Sequence, residues 1–380
     1  MNALIDEMTS FLVMDVLERA QELQSQGIDI IHLEVGEPDF DVPDSVRRAA
    51  AEAYESHRTH YTHSLGDLQL RRAIADKYKQ EYGVTVDPDC ILVTPGSSPA
   101  ILLVMLLLCT PGSEVILSNP GYACYRNFVL AAHGTPVFVP ISAENGFQYE
   151  VKDIRKRLSD RTAAIFVNSP MNPTGTLLSP EFFQELSQLG VPVVSDEIYH
   201  GLVYQGNAHS ILEYTTNAFV LNGFSKRYAM TGLRLGYVIA PPQYMEALRK
   251  MGQNFLICAP STVQRAGIAA LSDTSDYEEV MRATYDERRR YMLSRLRQMG
   301  FVIQQEPVGA FYIFADARRF TNRSLEFAYE VLENAHVGIT PGVDFGTGGE
   351  GFVRFSYANS LERIREGMDR LEAYLRQRGR

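Results

Sequence analysis

The sequence predicts an α/β fold with a large domain, residues 44–276, whose mostly parallel central sheet is covered by helices. A smaller α+β domain is predicted from the N-terminal segment, 1–43, and the C-terminal third, 277–380. Two observations favour this division. Short apolar runs alternate with helical patterns through the first two thirds of the chain, as in a helix-covered parallel sheet. Beyond Pro260 the alternation stops, and a long charged helical pattern at 277–299 leads into mixed strands and helices.

The individual elements follow from apolar residues at helical spacing, from short apolar runs, and from the Gly and Pro residues between them. Helices of the first half are predicted at 10–27, 43–56 and 67–82, from 100, from the loop at 119–125 to 133, and at 151–158. Strands of the large domain are predicted at 90–94, 114–118, 136–140, 163–167, 191–196, 218–221 and 235–240. In the C-terminal third, helices are predicted at 277–299, 324–334 and 360–376, and strands at 301–305, 310–315 and 351–356.

Composition and charge narrow the functional class. A hydrophobic content of 45% and a charged content of 22% are ordinary for a soluble globular protein. The net charge of −10 argues against nucleic-acid binding, which usually needs a basic face. The longest apolar run, 100–109, is too short to span a bilayer, and residues 1–20 lack the basic start of a signal peptide. We therefore expect a cytoplasmic protein that binds neither nucleic acid nor membrane.

Polar and aromatic residues recur where the predicted strands end. In parallel sheets, functional groups gather at the carboxyl ends of the strands. The residues that fall there are Gly96, Tyr122, Asn172, Asp196 and Lys226. The loop around Gly96 joins a strand to a helix, so its free N–H groups suit a phosphate, whereas an ordinary helix capped by Ser97 or Ser98 is the alternative.

The loop at 222–236 carries the residues with the most distinctive chemistry. Lys226 follows Ser225, and Arg234 comes eight residues later. A lysine at the end of a buried strand either pairs with a carboxylate or forms a Schiff base with a carbonyl, while a hydroxyl and a guanidinium suit a phosphate. A carbonyl and a phosphate together describe pyridoxal phosphate. A surface loop with a solvated lysine is the alternative for this stretch taken alone.

Three other patterns are rejected as sites. His57, His60 and His63 recur at a spacing that matches no zinc motif, so no metal is expected. The sequence at 346–351 matches G-x-G-x-x-G but precedes a strand, so it predicts no dinucleotide site. The four cysteines form no C-x-x-C pair and are expected to be reduced core residues.

Together these loops resemble those of the class I/II aminotransferases, the pyridoxal-phosphate family with the aspartate aminotransferase fold, also called fold type I. The resemblance extends in order from Gly36 to Arg354. Its most specific parts are the central loop Ser225 to Gly236, the Asn172-Pro-Thr-Gly run, and Asp196-Glu-Ile-Tyr199.

The resemblance implies a role for each site residue. Lys226 would carry the cofactor imine and act as general base and acid, and Asp196 would pair with the pyridinium nitrogen. Tyr199 and Asn172 would bond the ring's phenolic oxygen, and Tyr122 would stack on the ring. Arg354, with Gly36 and Asn172, would bind the substrate α-carboxylate. The phosphate would be held by Gly96, Ser97, Ser98, Ser225 and Arg234, with Tyr61 reaching from the partner subunit of a homodimer.

The resulting hypothesis is an aminotransferase that moves an amino group from an amino acid to a 2-oxo acid. One alternative is another pyridoxal-phosphate reaction on this scaffold, such as β-elimination or cyclopropane-forming synthesis. A second is a non-enzymatic sensor, although only about 35 residues precede Gly36 and the charge is acidic. A dicarboxylate substrate would need a further cation, for which Arg126, Arg227 and Arg265 are candidates.

Overall fold

The computed structural model describes residues 3–378, in which helices and strands alternate along the chain. Its α-helices are α1 (Ala3–Glu7), α2 (Leu12–Ser25), α3 (Asp44–Glu55), α4 (Leu68–Tyr82), α5 (Ser97–Leu108), α6 (Cys124–Ala131), α7 (Val151–Arg155), α8 (Pro180–Ser187), α9 (Met245–Phe255), α10 (Ser261–Leu271), α11 (Tyr277–Met299), α12 (Ser324–Ala335) and α13 (Leu361–Arg378). Its strands are β1 (Ile31–His32), β2 (Ile91–Thr94), β3 (Glu114–Asn119), β4 (Thr135–Pro140), β5 (Thr162–Asn168), β6 (Val193–Asp196), β7 (Ala218–Gly223), β8 (Gly236–Ile239), β9 (Tyr312–Asp316), β10 (Val337–Gly338), β11 (Thr340–Pro341) and β12 (Phe352–Ser356).

The central sheet has seven strands in the order β2-β8-β7-β6-β5-β3-β4. Strands β4, β3, β5, β6 and β7 are parallel, whereas β8 runs antiparallel to both β7 and β2. The prediction of a mostly parallel sheet is therefore confirmed. Strand β8 reverses direction because residues 224–235 form turns and no crossover helix, and a parallel return usually needs such a helix.

Helices cover both faces of this sheet. Successive strand residues point to opposite faces, so Ile165 and Val220 pack in one core with α4, α8 and α10. Phe166 and Phe219 pack on the other side, against α5 and α9. Helix α5 is apolar on most sides because the sheet, α6 and α9 surround it. None of the described helices is long and apolar enough to cross a membrane.

The C-terminal third forms a second core with the N-terminal segment. Strands β9, β12 and β11 make an antiparallel sheet, and helices α11, α12 and α13 pack around it. Strand β1 pairs with β10, placing Ile31 opposite Val337. The exact domain boundaries at 43/44 and 276/277 stay a prediction. The predicted strand at 301–305 is wrong: Val302 alone meets Asp316 in an isolated bridge, because the chain leaves the end of β9 after that contact.

Candidate active site

A cavity of about 370 Å³ lies where the carboxyl ends of β5, β6 and β7 face the second core. The predicted site residues that line it are Gly36, Ser97, Ser98, Tyr122, Asn172, Asp196, Tyr199, Ser225, Lys226, Arg234 and Arg354. Of the remaining two, Gly96 lies directly behind Arg234, whereas Tyr61 is 80% exposed and does not line the cavity of its own chain. Residues more than 300 positions apart in sequence thus meet at one point.

Lys226 lies in the turn after β7 with its amine at the cavity. The amine donates a hydrogen bond to the carbonyl of Gly36 at 2.6 Å. Burial lowers the pKa of Lys226 to about 8, although the nearby Glu37 carboxylate opposes the shift. A substantial fraction of this amine is therefore neutral near physiological pH, as a nucleophile or a base requires.

Asp196 ends strand β6 and is buried. One carboxylate oxygen accepts from the Tyr125 hydroxyl at 2.6 Å, and the other accepts from the backbone N–H of Ile198 at 3.1 Å. Burial raises the pKa of Asp196 to about 6, and the two hydrogen bonds only partly offset it. A carboxylate in this setting gains from a neighbouring cation, such as a protonated ring nitrogen.

A cationic region lies at the start of α5. Helix α5 begins with Gly96 as its N-cap and has no side-chain cap, so the alternative of an ordinary serine-capped helix is wrong. Gly96 has φ +89°, and a Cβ there would overlap the Arg234 guanidinium. The glycine therefore lets Arg234 lie against the helix N-terminus, and both groups favour an anion such as phosphate.

Arg354 lies in the middle of β12 and is 3% exposed. Its guanidinium donates to the side-chain oxygen of Asn172 at 2.9 Å and to the carbonyl of Glu34 at 2.6 Å. The guanidinium carbon stacks 4.2 Å from the centre of the Tyr312 ring, and the Nε atom has no hydrogen-bond partner within residues 3–378. These contacts hold the guanidinium in place and leave its Nε–H free to donate to a carboxylate.

Aromatic hydroxyls and rings complete the walls. The Tyr199 hydroxyl lies 2.9 Å from that of Tyr312, so its partner within the chain is another tyrosine. Tyr122 meets Phe11 edge-on, with ring centres 5.9 Å apart. A Cβ at Gly36 would overlap the Tyr312 hydroxyl, so only glycine leaves the space between them open.

The cavity also contains residues that the sequence analysis did not predict, and most of them are far in sequence from the predicted site residues. Tyr125 lies three residues after Tyr122, in the first turn of α6, and the two rings meet edge-on with centres 5.1 Å apart, so the short spacing between the two tyrosines was an available signal. Tyr312 reaches the site because β9 pairs with β12, a long-range contact with no local pattern. The first turns of α2 also line the cavity, which only the packing of the N-terminal segment explains.

The donor set fits pyridoxal phosphate. A cationic region suits the phosphate, a buried carboxylate suits the ring nitrogen, and a partly neutral lysine lies in the same cavity as both. The histidines at 57, 60 and 63 are all exposed, and residues 3–378 contain no group of three or more acidic, His or Cys side chains arranged to hold a metal ion.

Known aminotransferases are similar to this protein over nearly the whole chain. The family model for aminotransferase class I and II matches residues 28–371. A (5-formylfuran-3-yl)methyl phosphate transaminase of Methanocaldococcus jannaschii is 39% identical, over 96% of this chain and 97% of its own. An aspartate aminotransferase of Pyrococcus abyssi is 37% identical, over 92% of each chain. The structure of Thermus thermophilus aspartate aminotransferase with maleate superposes with a TM-score of 0.94 at 33% identity, covering 98% of this chain and 99% of that one.

Proposed function

This chain belongs to the class I and II aminotransferases, which depend on pyridoxal phosphate, and from that premise we propose a role for each residue of the cavity. The reaction moves an amino group between an amino acid and a 2-oxo acid. The relatives support this transfer and not the elimination or synthase alternative. The observation that carries the proposal is the convergence of Lys226, Asp196 and Arg354 on one cavity.

Lys226 has two duties in this proposal. Its Nζ would hold the cofactor covalently at rest, and once released it would take a proton from the substrate Cα and deliver it to the cofactor carbon to which it had been joined. Pyridoxal phosphate, when bound, supplies an electron sink for the electrons that this proton leaves behind. The pKa of about 8 supports the second duty, since a base works best when its pKa is near the operating pH.

The other residues of the cavity bind and orient the cofactor. Asp196 keeps the ring nitrogen protonated, Tyr199 and Asn172 hydrogen-bond the phenolic oxygen, and Tyr122 covers one ring face. The phosphate is bound by Gly96, Ser97, Ser98, Ser225 and Arg234. What supports this division is the placement of the buried carboxylate at the end of β6 and of the Arg234 guanidinium at the start of α5.

Arg354 binds the substrate α-carboxylate, with Gly36 and Asn172 beside it. Arg354→Lys is expected to lower kcat/KM by about 10- to 150-fold, because lysine keeps the charge but loses the planar fork, and hydrogen bonds to charged groups contribute about 1.5–3 kcal/mol. Steady-state kinetics with one amino donor checks this result.

The matched control for that variant is Arg289→Lys. Arg289 is also buried and stacked on a tyrosine, Tyr204, but lies on α11 away from the cavity. We expect it to leave kcat/KM of the folded enzyme within a few-fold of wild type. Equal losses in the two variants would show that Arg354 acts through packing and not through substrate binding.

We further propose a homodimer with shared active sites. Tyr61 is exposed in its own chain, and its loop is tied to the end of α9 by a hydrogen bond from Gln253 to Ser64 at 3.4 Å. The large side chains of Phe255 and Ile257 beside this end are 64% and 50% exposed. Packing these two side chains against a second copy would remove apolar surface from water, and a two-fold pair is the commonest oligomer.

A mixture of two inactive variants tests the shared site. Tyr61→Arg blocks the neighbour's phosphate site, and Lys226→Ala disables its own chain. In a mixed dimer with shared sites, one site carries both lesions and the other carries neither, so about a quarter of wild-type activity returns in an equal mixture. If native mass spectrometry detects mixed dimers while activity stays absent, Tyr61 serves its own chain. Tyr61→Phe, which removes only the hydroxyl, is the control for folding.

A cytoplasmic location is also part of the proposal. All four cysteines, Cys90, Cys109, Cys124 and Cys258, are free thiols in the structure. Unpaired cysteines are typical of proteins that work in a reducing compartment.

A further inference from the structure

One wall of the cavity has no role in the function proposed above. It consists of Phe11 and three residues from the start of α2, Val13, Met14 and Leu17. Helical spacing places the α2 residues together, since positions three and four apart share a face. Val35 and Ile101 extend the surface. We call these six apolar residues the α2 wall.

The α2 wall is fixed relative to the residue that binds the substrate α-carboxylate. The Asp344 carboxylate accepts hydrogen bonds from the N–H groups of Leu12 and Val13, at 2.9 and 3.3 Å, and so caps α2. The next residue, Phe345, lies 5.0 Å from the Arg354 guanidinium, measured to the ring centre. A substrate bound by its α-carboxylate at Arg354, with its Cα at Lys226, therefore has the α2 wall available for its side chain.

The charges around the cavity disfavour a second carboxylate on the substrate. Among residues 3–378, the basic side chains that line it are Lys226, Arg234 and Arg354, and each already has a role in the proposed function. Glu37 also lines the cavity, so a distal carboxylate would meet a like charge.

The arginines that the sequence offered for a distal carboxylate have partners elsewhere. Arg126 donates to the carbonyl of Glu7 at 2.8 Å. Arg227 forms ion pairs with Glu81 and Glu278, at 2.7 and 2.6 Å. Arg265 pairs with Asp67 at 3.0 Å. None of the three lines the cavity formed by the described residues.

We propose that the preferred amino donor carries a large apolar side chain, aromatic or long aliphatic, which packs on the α2 wall. This inference rests on the proposed roles of Arg354 and Lys226. The energetic reason is that covering the apolar α2 wall with an apolar side chain removes both surfaces from water, which is favourable. A charged side chain placed there would lose its hydration and gain no partner.

The first half-reaction of the holoenzyme gives the direct test, because it needs no acceptor. The change in the cofactor's absorbance band is followed with phenylalanine, leucine, methionine, aspartate, glutamate and lysine as donors. We expect kcat/KM for the best apolar donor to exceed that for aspartate and glutamate by about tenfold or more. A preference for aspartate, glutamate or lysine overturns the inference. No reaction with any donor overturns the proposed function itself, so the two failures are distinguishable.

A substitution in the α2 wall tests whether the substrate side chain binds there. Met14 is 42% exposed at the cavity, so Met14→Arg is compatible with folding and adds a cation to the wall. We expect the ratio of the phenylalanine to the aspartate kcat/KM to fall by about tenfold or more. The matched control is Val280→Arg, an exposed apolar position on α11 outside the cavity, which should leave the ratio unchanged. An unchanged ratio in Met14→Arg means that the side chain does not bind at the α2 wall.

Discussion

Lys226→Ala is expected to reduce turnover by about 10⁴-fold, the upper range for the loss of a positioned general acid-base group, because both duties of the amine disappear. Single-turnover measurements on enzyme loaded with cofactor check the effect on proton transfer. Because the missing group is a proton carrier, an added small primary amine should restore part of the rate.

Lys77→Ala is the matched control for this variant. Lys77 is also largely buried, with a pKa lowered by burial, but it pairs with Glu81 at 2.9 Å and does not line the cavity. We expect its folded form to keep turnover within a few-fold of wild type. A Lys226→Ala enzyme as active as the Lys77→Ala enzyme would remove Lys226 from the chemistry.

Asp196→Asn is expected to lower kcat by about 10³-fold, the loss typical of removing an electrostatic group aimed at the reacting centre. The asparagine oxygen can still accept from Tyr125, so the local geometry is kept, but an amide cannot hold the ring nitrogen protonated. Steady-state kinetics together with cofactor binding checks this effect. A wild-type rate would show that protonation of the ring does not depend on Asp196.

The same substitution should stabilise the protein without its cofactor. The pKa of Asp196 is raised from 3.8 to about 6, so the unfolded chain releases this proton at lower pH than the folded one. The stability contribution therefore falls as pH rises from about 4 to about 6 and stays low above it. With about 1.4 kcal/mol for each pKa unit, the carboxylate costs the apoenzyme up to about 3 kcal/mol at pH 7.5.

Urea unfolding of the wild-type and Asp196→Asn apoenzymes measures this gain in stability. Asp196→Asn should unfold at higher urea than wild type at pH 7.5, and the difference should become small near pH 4, where Asp196 of the folded protein is protonated and Asp196 of the unfolded chain is about half protonated. With pyridoxal phosphate added, the order should reverse, because the cofactor then stabilises only the wild-type site fully. A less stable apo variant at pH 7.5 would mean that the hydrogen bonds of the carboxylate outweigh the cost of burying it.

Much of the fold follows from local pattern in the sequence. Helix α11 was predicted with its observed limits, 277–299, because Gly300 and the apolar spacing mark its end and its buried face. The strands that end at Asp196 and Gly223 were found because short apolar runs between turns are typical of buried strands. Since their carboxyl ends meet at one edge, the placement of Asp196 and Lys226 in one cavity was predictable as well.

What the sequence did not predict depends on tertiary contacts. The antiparallel course of β8 is decided by the turns after Lys226, whose sequence has no distinctive hairpin signal. Tyr312 faces the cavity because β9 pairs with β12, and the α2 wall lies at the cavity because Asp344 caps α2. Both contacts join residues that are far apart in the chain. Position 96 is the N-cap of α5 and must be glycine because Arg234 occupies the space where a Cβ would lie, a contact that local propensity does not register.

The covalent attachment of the cofactor to Lys226 is the central claim, and it can be measured without turnover. The holoenzyme is reduced with borohydride, digested, and mapped by mass spectrometry, with the Lys226→Ala protein treated in parallel. We expect the reduced cofactor on the peptide that contains Lys226 and no label in the variant. Label on any other lysine, or equal label in the Lys226→Ala protein, would contradict the assignment.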